Sequence, residues 1–195
     1  MKRNISPLFQ SHLDFAHRFW ERILKKDDIA IDATCGGGYD TAFLSTLSNH
    51  VIGLDIQEEA IEKTTHRLSQ DQKNNVRLLR QSHQNFPDWI QEESVTLIVY
   101  NLGYLPGGEK TITTQSPITL ESVKNAMRLL KKGGVISITA YPGHAEGKLE
   151  QDALSEYFST LSPKEWQVSH HLWINRRLSP SLFLVQNNCD HDKVN

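Results

Sequence analysis

Apolar positions along the chain follow two periods, and their alternation predicts a mixed α/β fold. Short continuous apolar runs are typical of buried strands, whereas apolar residues spaced three and four apart indicate amphipathic helices. Strands are predicted in this way at residues 29–31, 51–56, 76–79, 95–100, 135–140, 168–174 and 182–185. The run at 95–100 is the most apolar, as is typical of a central strand that is buried on both faces.

Helical spacing fills most intervals between the predicted strands. The first helix carries the apolar set Leu13, Ala16, Trp20, Ile23 and Leu24. The helix before the fifth strand begins at Ser116-Pro117 and is expected to end at Gly133-Gly134. Alternating helices and strands indicate a mostly parallel sheet with helices on both faces, and the short last connection permits an antiparallel C-terminal hairpin.

The number and order of the seven predicted strands match the Rossmann-like class I methyltransferase fold, although other doubly wound α/β folds share them. No linker or repeat divides the chain. We therefore expect one domain over residues 1–195, with a helical segment at residues 1–28 packed on it.

Composition narrows the classes of partner. A chain of 195 residues with 38% hydrophobic and 23% charged residues is typical of a globular protein that builds its own core. The net charge of −2 argues against a protein-wide attraction to nucleic acid or membranes, so any polyanion must be held by a local basic patch. Cys35 and Cys189 are far apart and favour a reducing compartment. With no recognisable signal peptide or membrane span, we expect a cytoplasmic location; a homodimer is compatible with the sequence.

A glycine loop follows the first predicted strand and opens a helix, the context in which such loops bind nucleotides. The candidate cofactor-binding residues of this loop are Asp32, Thr34, Gly36, Gly38 and Asp40. Thr41 occupies the place of the third glycine in a dinucleotide fingerprint, which argues for a cofactor without pyrophosphate. Asp32 would repel phosphates but suits the cationic methionine end of S-adenosylmethionine. A tight turn without a ligand is the alternative.

Acidic and polar residues at the next two strand ends support a nucleoside site. Asp55 ends the second strand, where a carboxylate can accept hydrogen bonds from both ribose hydroxyls. Gln57 is expected to line the adenosine. Ser82 and His83 follow the third strand, and we expect Ser82 to bond the adenine edge and His83 to stack on the ring, although His83 also fits a surface histidine.

The loop after the fourth strand, residues 100–108, is the candidate catalytic segment. It resembles the Asn/Asp-Pro-Pro-aromatic loop of amino-group methyltransferases, with Leu102-Gly103 in place of the prolines. Asn101 is the predicted acceptor for an amine N–H, and Tyr104 is predicted to stack on a flat substrate. A glycine- and proline-rich turn is the alternative. We expect no metal site, because His170 and His171 fall on opposite faces of a strand.

Four stretches, at residues 32–40, 101–106, 107–114 and 141–147, resemble the "putative rRNA methylase" family of Gram-positive bacteria. Members of that family are recognised as tRNA methyltransferases acting on 5-aminomethyl-2-thiouridine at the wobble position. The resemblance extends over nearly the whole chain and is most specific at Asn-Leu-Gly-Tyr-Leu-Pro-Gly-Gly and Tyr-Pro-Gly-His. Gly37 and Tyr39 depart from the family's usual Cys-Gly-Asn-Gly-His-Asp loop.

The resemblance implies S-adenosylmethionine as cofactor and methyl transfer to an exocyclic amine in the tRNA anticodon arm. It implies substrate binding by Lys110, Tyr141 and His144. The basic residues that could hold flanking phosphates are Lys110, Lys124, Arg128, Lys131, Lys132, Arg176 and Arg177. The alternatives are a small-molecule N-methyltransferase, an rRNA methyltransferase, a nicotinamide oxidoreductase and a binding module without catalysis.

Overall fold

The computed structural model describes residues 11–103, 116–176 and 178–188. Its helices are α1 His12–Ile23, α2 Tyr39–Leu47, α3 Glu58–Arg67, α4 Gln70–Asn75, α5 Ser116–Leu129 and α6 Ala145–Ser159. Its strands are β1 Ile29–Asp32, β2 His50–Asp55, β3 Val76–Arg80, β4 Val95–Asn101, β5 Leu130–Ala140, β6 Trp166–His171 and β7 Ser181–Asn187.

The strands form one seven-stranded sheet in the order β3-β2-β1-β4-β5-β7-β6, which confirms the predicted fold class. Strands β1 to β5 pair in parallel, and β7 pairs antiparallel with both β5 and β6. The chain order reverses between β1 and β4, so a crevice is expected at the carboxyl ends of these two strands.

The core lies on both faces of the sheet, and β4 contributes to both. Leu97 and Val99 pack with α1 and α2 on one face, whereas Ile98 and Tyr100 pack with α5 and α6 on the other. All six residues from 95 to 100 are buried, as predicted for the central strand. The α1 side chains Ala16 and Trp20 are buried, so the first helix packs directly on the sheet.

Several boundaries differ from the predictions, and one helix was not predicted. The strand predicted at residues 168–174 is Trp166–His171. The α5 helix ends at Leu129, and Gly133-Gly134 lies within β5 instead of ending the helix. A Cβ on Gly134 would lie 2.8 Å from the Val95 carbonyl oxygen, so the glycine permits close strand approach. The α4 helix was not predicted, because it buries none of its residues and therefore shows no apolar stripe; a capping box between Ser69 and Gln72 begins it.

Candidate active site

The polar residues singled out in the sequence meet at the carboxyl edge of the parallel strands. Asp32 ends β1, Asp55 ends β2 and Asn101 ends β4. The loop containing Tyr141 follows β5 at the same edge. The site therefore lies at the crevice where the strand order reverses.

The glycine loop after β1 adopts a conformation that requires glycine. Gly36 and Gly38 have φ values of 52° and 77°, in the left-handed region. A Cβ on Gly38 would also lie 2.7 Å from the Thr64 Cα of α3. The loop thus packs closely against α3 and begins α2, and both glycines are needed for its conformation.

Asp55 is held in place by the backbone of the glycine loop. Its Oδ2 accepts a hydrogen bond of 2.9 Å from the Gly36 N–H, and its Oδ1 accepts one of 2.9 Å from the Gln57 N–H. Each carboxylate oxygen keeps a second lone pair, so Asp55 can still accept from two ribose hydroxyls. Asp55 therefore fits the nucleoside of S-adenosylmethionine.

Asp32 is only 1% exposed, and its carboxyl group is bound within the protein. The Thr41 hydroxyl donates to Oδ2 at 2.6 Å, and the Thr34 N–H donates to Oδ1 at 3.1 Å. Burial, reinforced by the nearby Asp40 carboxylate, raises the pKa of Asp32 to about 7. Thr41 therefore has a structural role, because it binds Asp32. The sequence indicates only that Thr41 replaces the third glycine of a dinucleotide fingerprint. Direct contact of Asp32 with the methionine end of the cofactor stays a prediction.

Asp40 connects the cofactor loop to the end of β4. Its Oδ2 accepts from the Asn101 side-chain amide at 3.3 Å, and its Oδ1 lies 2.8 Å from His17 Nε2 of α1. The Asn101 backbone N–H also donates to the Thr34 hydroxyl at 2.7 Å. These bonds fix the orientation of the Asn101 amide, with its NH₂ group directed to Asp40.

Tyr141 and His12 lie beside Asn101, and these three residues form what we call the acceptor side of the site. The Tyr141 hydroxyl forms a hydrogen bond with the Asn101 side chain, and burial with the nearby Asp40 charge raises the pKa of Tyr141 to about 12. The His12 ring stands edge-on to the Tyr141 ring, with centroids 5.8 Å apart. Sequence reasoning missed His12 and His17, because only the packing of α1 brings them to the site.

The start of α6 positions the Tyr141 loop. His144 is the N-cap residue, and its Nδ1 accepts from the Gly147 N–H at 3.1 Å. A Cβ on Gly147 would lie 2.0 Å from the Tyr141 carbonyl oxygen, so only glycine lets α6 approach this loop so closely. His144 thus has a structural role as a helix cap, and its predicted substrate contact stays a prediction.

Ser82 and His83 lie after β3, where the adenine was predicted. The Ser82 hydroxyl accepts from the Gln84 N–H at 3.1 Å. His83 is 9% exposed and stands edge-on to Tyr100, and burial lowers its pKa to about 4, so the ring is neutral at pH 7. His83 is therefore not the surface histidine that the sequence left open. Its stacking on adenine stays a prediction.

Among the basic residues that the structure describes, Arg128 and Lys131 lie away from the site, whereas Arg176 lies at its edge. Arg128 and Lys131 lie near the carboxyl end of α5, where they pair with Glu92 and Asp28. These acids precede β4 and β1, at the opposite edge of the sheet from the site. Arg128 and Lys131 therefore lie too far from the site to hold phosphates beside it, because α5 runs antiparallel to the strands. Arg176 lies in the turn between β6 and β7, at the site's edge, with its guanidinium 5.0 Å from the Trp173 ring centroid.

Four residues singled out in the sequence lie outside the part of the chain that the structure describes: Tyr104, Lys110, Arg177 and Cys189. Within the described ranges, no group of three or more metal-ligating side chains is found, and no helix is long and apolar enough to cross a membrane. Cys35 is buried, which raises its thiol pKa and makes it a poor nucleophile.

Comparison with known proteins agrees with this geometry. The family described as "Putative rRNA methylase" matches residues 51–187. A protein of Arabidopsis thaliana named "tRNA (mnm(5)s(2)U34)-methyltransferase, chloroplastic" is 37% identical over 185 residues, covering 88% of this chain and 68% of that protein.

Two solved structures share the fold over nearly their whole length. One is described as a putative rRNA-methylase from Clostridium thermocellum, with a TM-score of 0.88, 33% identity and coverage of 93% of this chain and 100% of that one. The other is a putative methyltransferase from Streptococcus mutans in complex with SAH, with a TM-score of 0.84, 31% identity and coverage of 92% and 99%. These likenesses confirm the class I methyltransferase fold and the predicted cofactor, S-adenosylmethionine. The chain thus belongs to the "Putative rRNA methylase" family and is an S-adenosylmethionine-dependent methyltransferase.

Proposed function

We propose that this protein methylates the exocyclic amine of 5-aminomethyl-2-thiouridine at the tRNA wobble position, giving 5-methylaminomethyl-2-thiouridine. The observation that carries the proposal is the 37% identity, over 88% of this chain, to a protein named as a tRNA (mnm(5)s(2)U34)-methyltransferase. Binding to the tRNA anticodon arm and a cytoplasmic location are parts of the same proposal.

S-adenosylmethionine would bind on the side of the site formed by β1 and β2. Asp55, held in place by the Gly36 N–H, would accept hydrogen bonds from the ribose hydroxyls, and Gly36 and Gly38, with positive φ, would let the backbone approach the ligand. The remaining proposed cofactor contacts come from Asp32, Thr34, Asp40, Gln57, Ser82 and His83. When bound, S-adenosylmethionine supplies a methyl group on a positively charged sulfur, which is a good leaving group.

Asn101 orients the acceptor amine. Its NH₂ group donates to Asp40, so its carbonyl oxygen is the part of the amide that can accept an amine N–H. An alkylamine with a pKa near 10 is mostly protonated at pH 7, and exposing its lone pair costs about 4 kcal/mol. Accepting an N–H from the neutral amine, in a poorly solvated pocket, lowers that cost and aligns the lone pair for methyl transfer.

Recognition of tRNA relies on the same edge of the sheet. A modified base in an anticodon loop is single-stranded and can be splayed out, so aromatic residues can stack on it. We propose Tyr104 for this stacking, with Tyr141 and His144 lining the pocket. Arg176 lies at this edge of the sheet and is proposed to contact a flanking phosphate, as is Lys110.

The test compares three RNA substrates at equal concentration: tRNA carrying the aminomethyl group, the same tRNA with unmodified uridine, and ribosomal RNA. Mass spectrometry of the nucleosides should detect one added methyl group, and only on the aminomethyl nucleoside. Equal methylation of both tRNAs would show that the amine is not the acceptor. Methylation of ribosomal RNA alone would support the reaction that the family's description names.

A further inference from the structure

The first helix brings the His12 ring to the acceptor side of the site. His12 begins α1, and its ring stands edge-on to Tyr141, which bonds Asn101. The Nε2 atom of His12 is buried and has no hydrogen-bond partner among residues 11–103, 116–176 and 178–188. A buried imidazole nitrogen without a partner is costly unless a ligand bonds it.

We propose that His12 accepts the proton that the substrate's ammonium group must lose before it can be methylated. This inference rests on the proposed function. The ammonium N–H bond breaks, its electron pair stays on the nitrogen, and the proton forms a bond to His12 Nε2. The neutral amine then takes the methyl group, and His12 later releases its proton to water. One proton is released per methyl group transferred, as the conversion of one ammonium to another requires.

The charges around His12 suit this role. Burial lowers the pKa of His12 below its usual value, so the ring is neutral at pH 7 and its lone pair is available. Asp40 on α2 and Asp14 on α1 act in the opposite direction, and their carboxylates stabilise the imidazolium once it has formed. Tyr141, whose ring contacts His12, is an uncharged phenol at pH 7.

The other polar groups of the site are less suited to accept this proton. Asp40 is bound to Asn101 and His17, and a carboxylate is a weaker base than imidazole. Asp32 is almost fully buried beneath Thr41 and Thr34. Tyr141 would have to accept as a phenol, which is a far weaker base than imidazole. Among the described residues that form the acceptor side, His12 combines a neutral base with an unpaired nitrogen.

The test measures single-turnover methyl transfer to aminomethyl-tRNA between pH 7 and pH 9.5. The His12→Gln variant should be roughly 10²-fold slower than the wild type at pH 7, because the proton acceptor is gone. At pH 9.5 about a quarter of a free amine with a pKa near 10 is already neutral, so the variant should recover to within about fivefold of the wild type. Added imidazole should raise the variant's rate at pH 7.

Controls separate this role from a structural one. His66→Gln, at an exposed position on α3, should match the wild type throughout. His12→Asn should repeat the pH dependence of His12→Gln, and calorimetry should show an unchanged affinity for S-adenosylhomocysteine in both. Equal loss at pH 7 and pH 9.5, or no loss at pH 7, would overturn the role of His12 while leaving the proposed function intact. A wild type inactive on aminomethyl-tRNA at every pH would overturn both.

Discussion

The two sides of the active site are built in different ways. On the cofactor side, these bonds join elements that follow one another in the chain, from the end of β1 to the start of α3: Asp55 bonds the Gly36 and Gln57 amides, and Thr41 bonds Asp32. On the acceptor side, His12, Asn101 and Tyr141 come from three distant parts of the chain. The cofactor side is therefore prepared by local structure, whereas the acceptor side exists only when α1, β4 and the loop after β5 are packed together.

Asp40 belongs to both sides. It lies in the first turn of α2, directly after the glycine loop, and it bonds Asn101 and His17 of the acceptor side. If the two sides otherwise act separately, a substitution on one side should leave the function of the other intact. The predictions below test that separation.

The largest effect is expected on the acceptor side. Replacing Asn101 by Ala should lower the methyl-transfer rate by roughly 10²-fold, because the amide that orients the amine is lost. Calorimetry should show nearly unchanged affinity for S-adenosylmethionine, since the substitution removes no cofactor contact. Parallel losses of rate and cofactor affinity would show that Asn101 serves the cofactor instead.

A substitution on the cofactor side should lower the affinity for the cofactor and leave the methyl-transfer rate nearly unchanged. Asp55→Ala should weaken cofactor binding by roughly 1–3 kcal/mol through loss of charge-assisted hydrogen bonds to the ribose. With saturating cofactor, single-turnover methyl transfer should stay within a few-fold of the wild type. Unchanged calorimetric affinity would remove Asp55 from the cofactor site.

The sequence predicts residues next to clear strands better than residues that reach the site only through the packing of distant elements. The glycine loop, Asp55 and Asn101 could be found because each follows a strand whose apolar run is clear. His12 and His17 could not, since nothing in the spacing of α1 indicates which element it packs against. The distance of Arg128 from the site likewise depends on packing, since the apolar spacing predicts its helix but not which end of α5 lies beside the site.

A smaller effect is expected at the edge of the acceptor side. Arg176→Gln should weaken tRNA binding several-fold and reduce by about one the slope of log affinity against log salt, since one phosphate contact is lost. Arg128→Gln is the matched control, because Arg128 lies at the opposite edge of the sheet and pairs with Glu92. Equal losses in both variants, measured by filter binding, would contradict the proposed RNA surface.

The smallest effect concerns stability and pH on the cofactor side. The pKa of Asp32 is raised from 3.8 to about 7 in the folded protein, so the folded state keeps a proton that the unfolded chain loses. The free energy of unfolding from this group therefore falls as the pH rises from about 4 to about 7. Asp32→Asn removes this dependence and should raise the melting temperature at pH 8 by several degrees. A lower melting temperature at pH 8 would show that the ionised carboxylate stabilises the fold.

The most direct test of the account is nucleoside mass spectrometry of tRNA from a strain that lacks this protein. In that strain, 5-aminomethyl-2-thiouridine should accumulate and its methylated form should disappear. Expression of the wild type should restore the methylated nucleoside, whereas the Asn101→Ala variant should restore little of it. An unchanged nucleoside profile in the deletion strain, or a methyl group missing from ribosomal RNA instead, would contradict the claim that this site methylates the wobble amine.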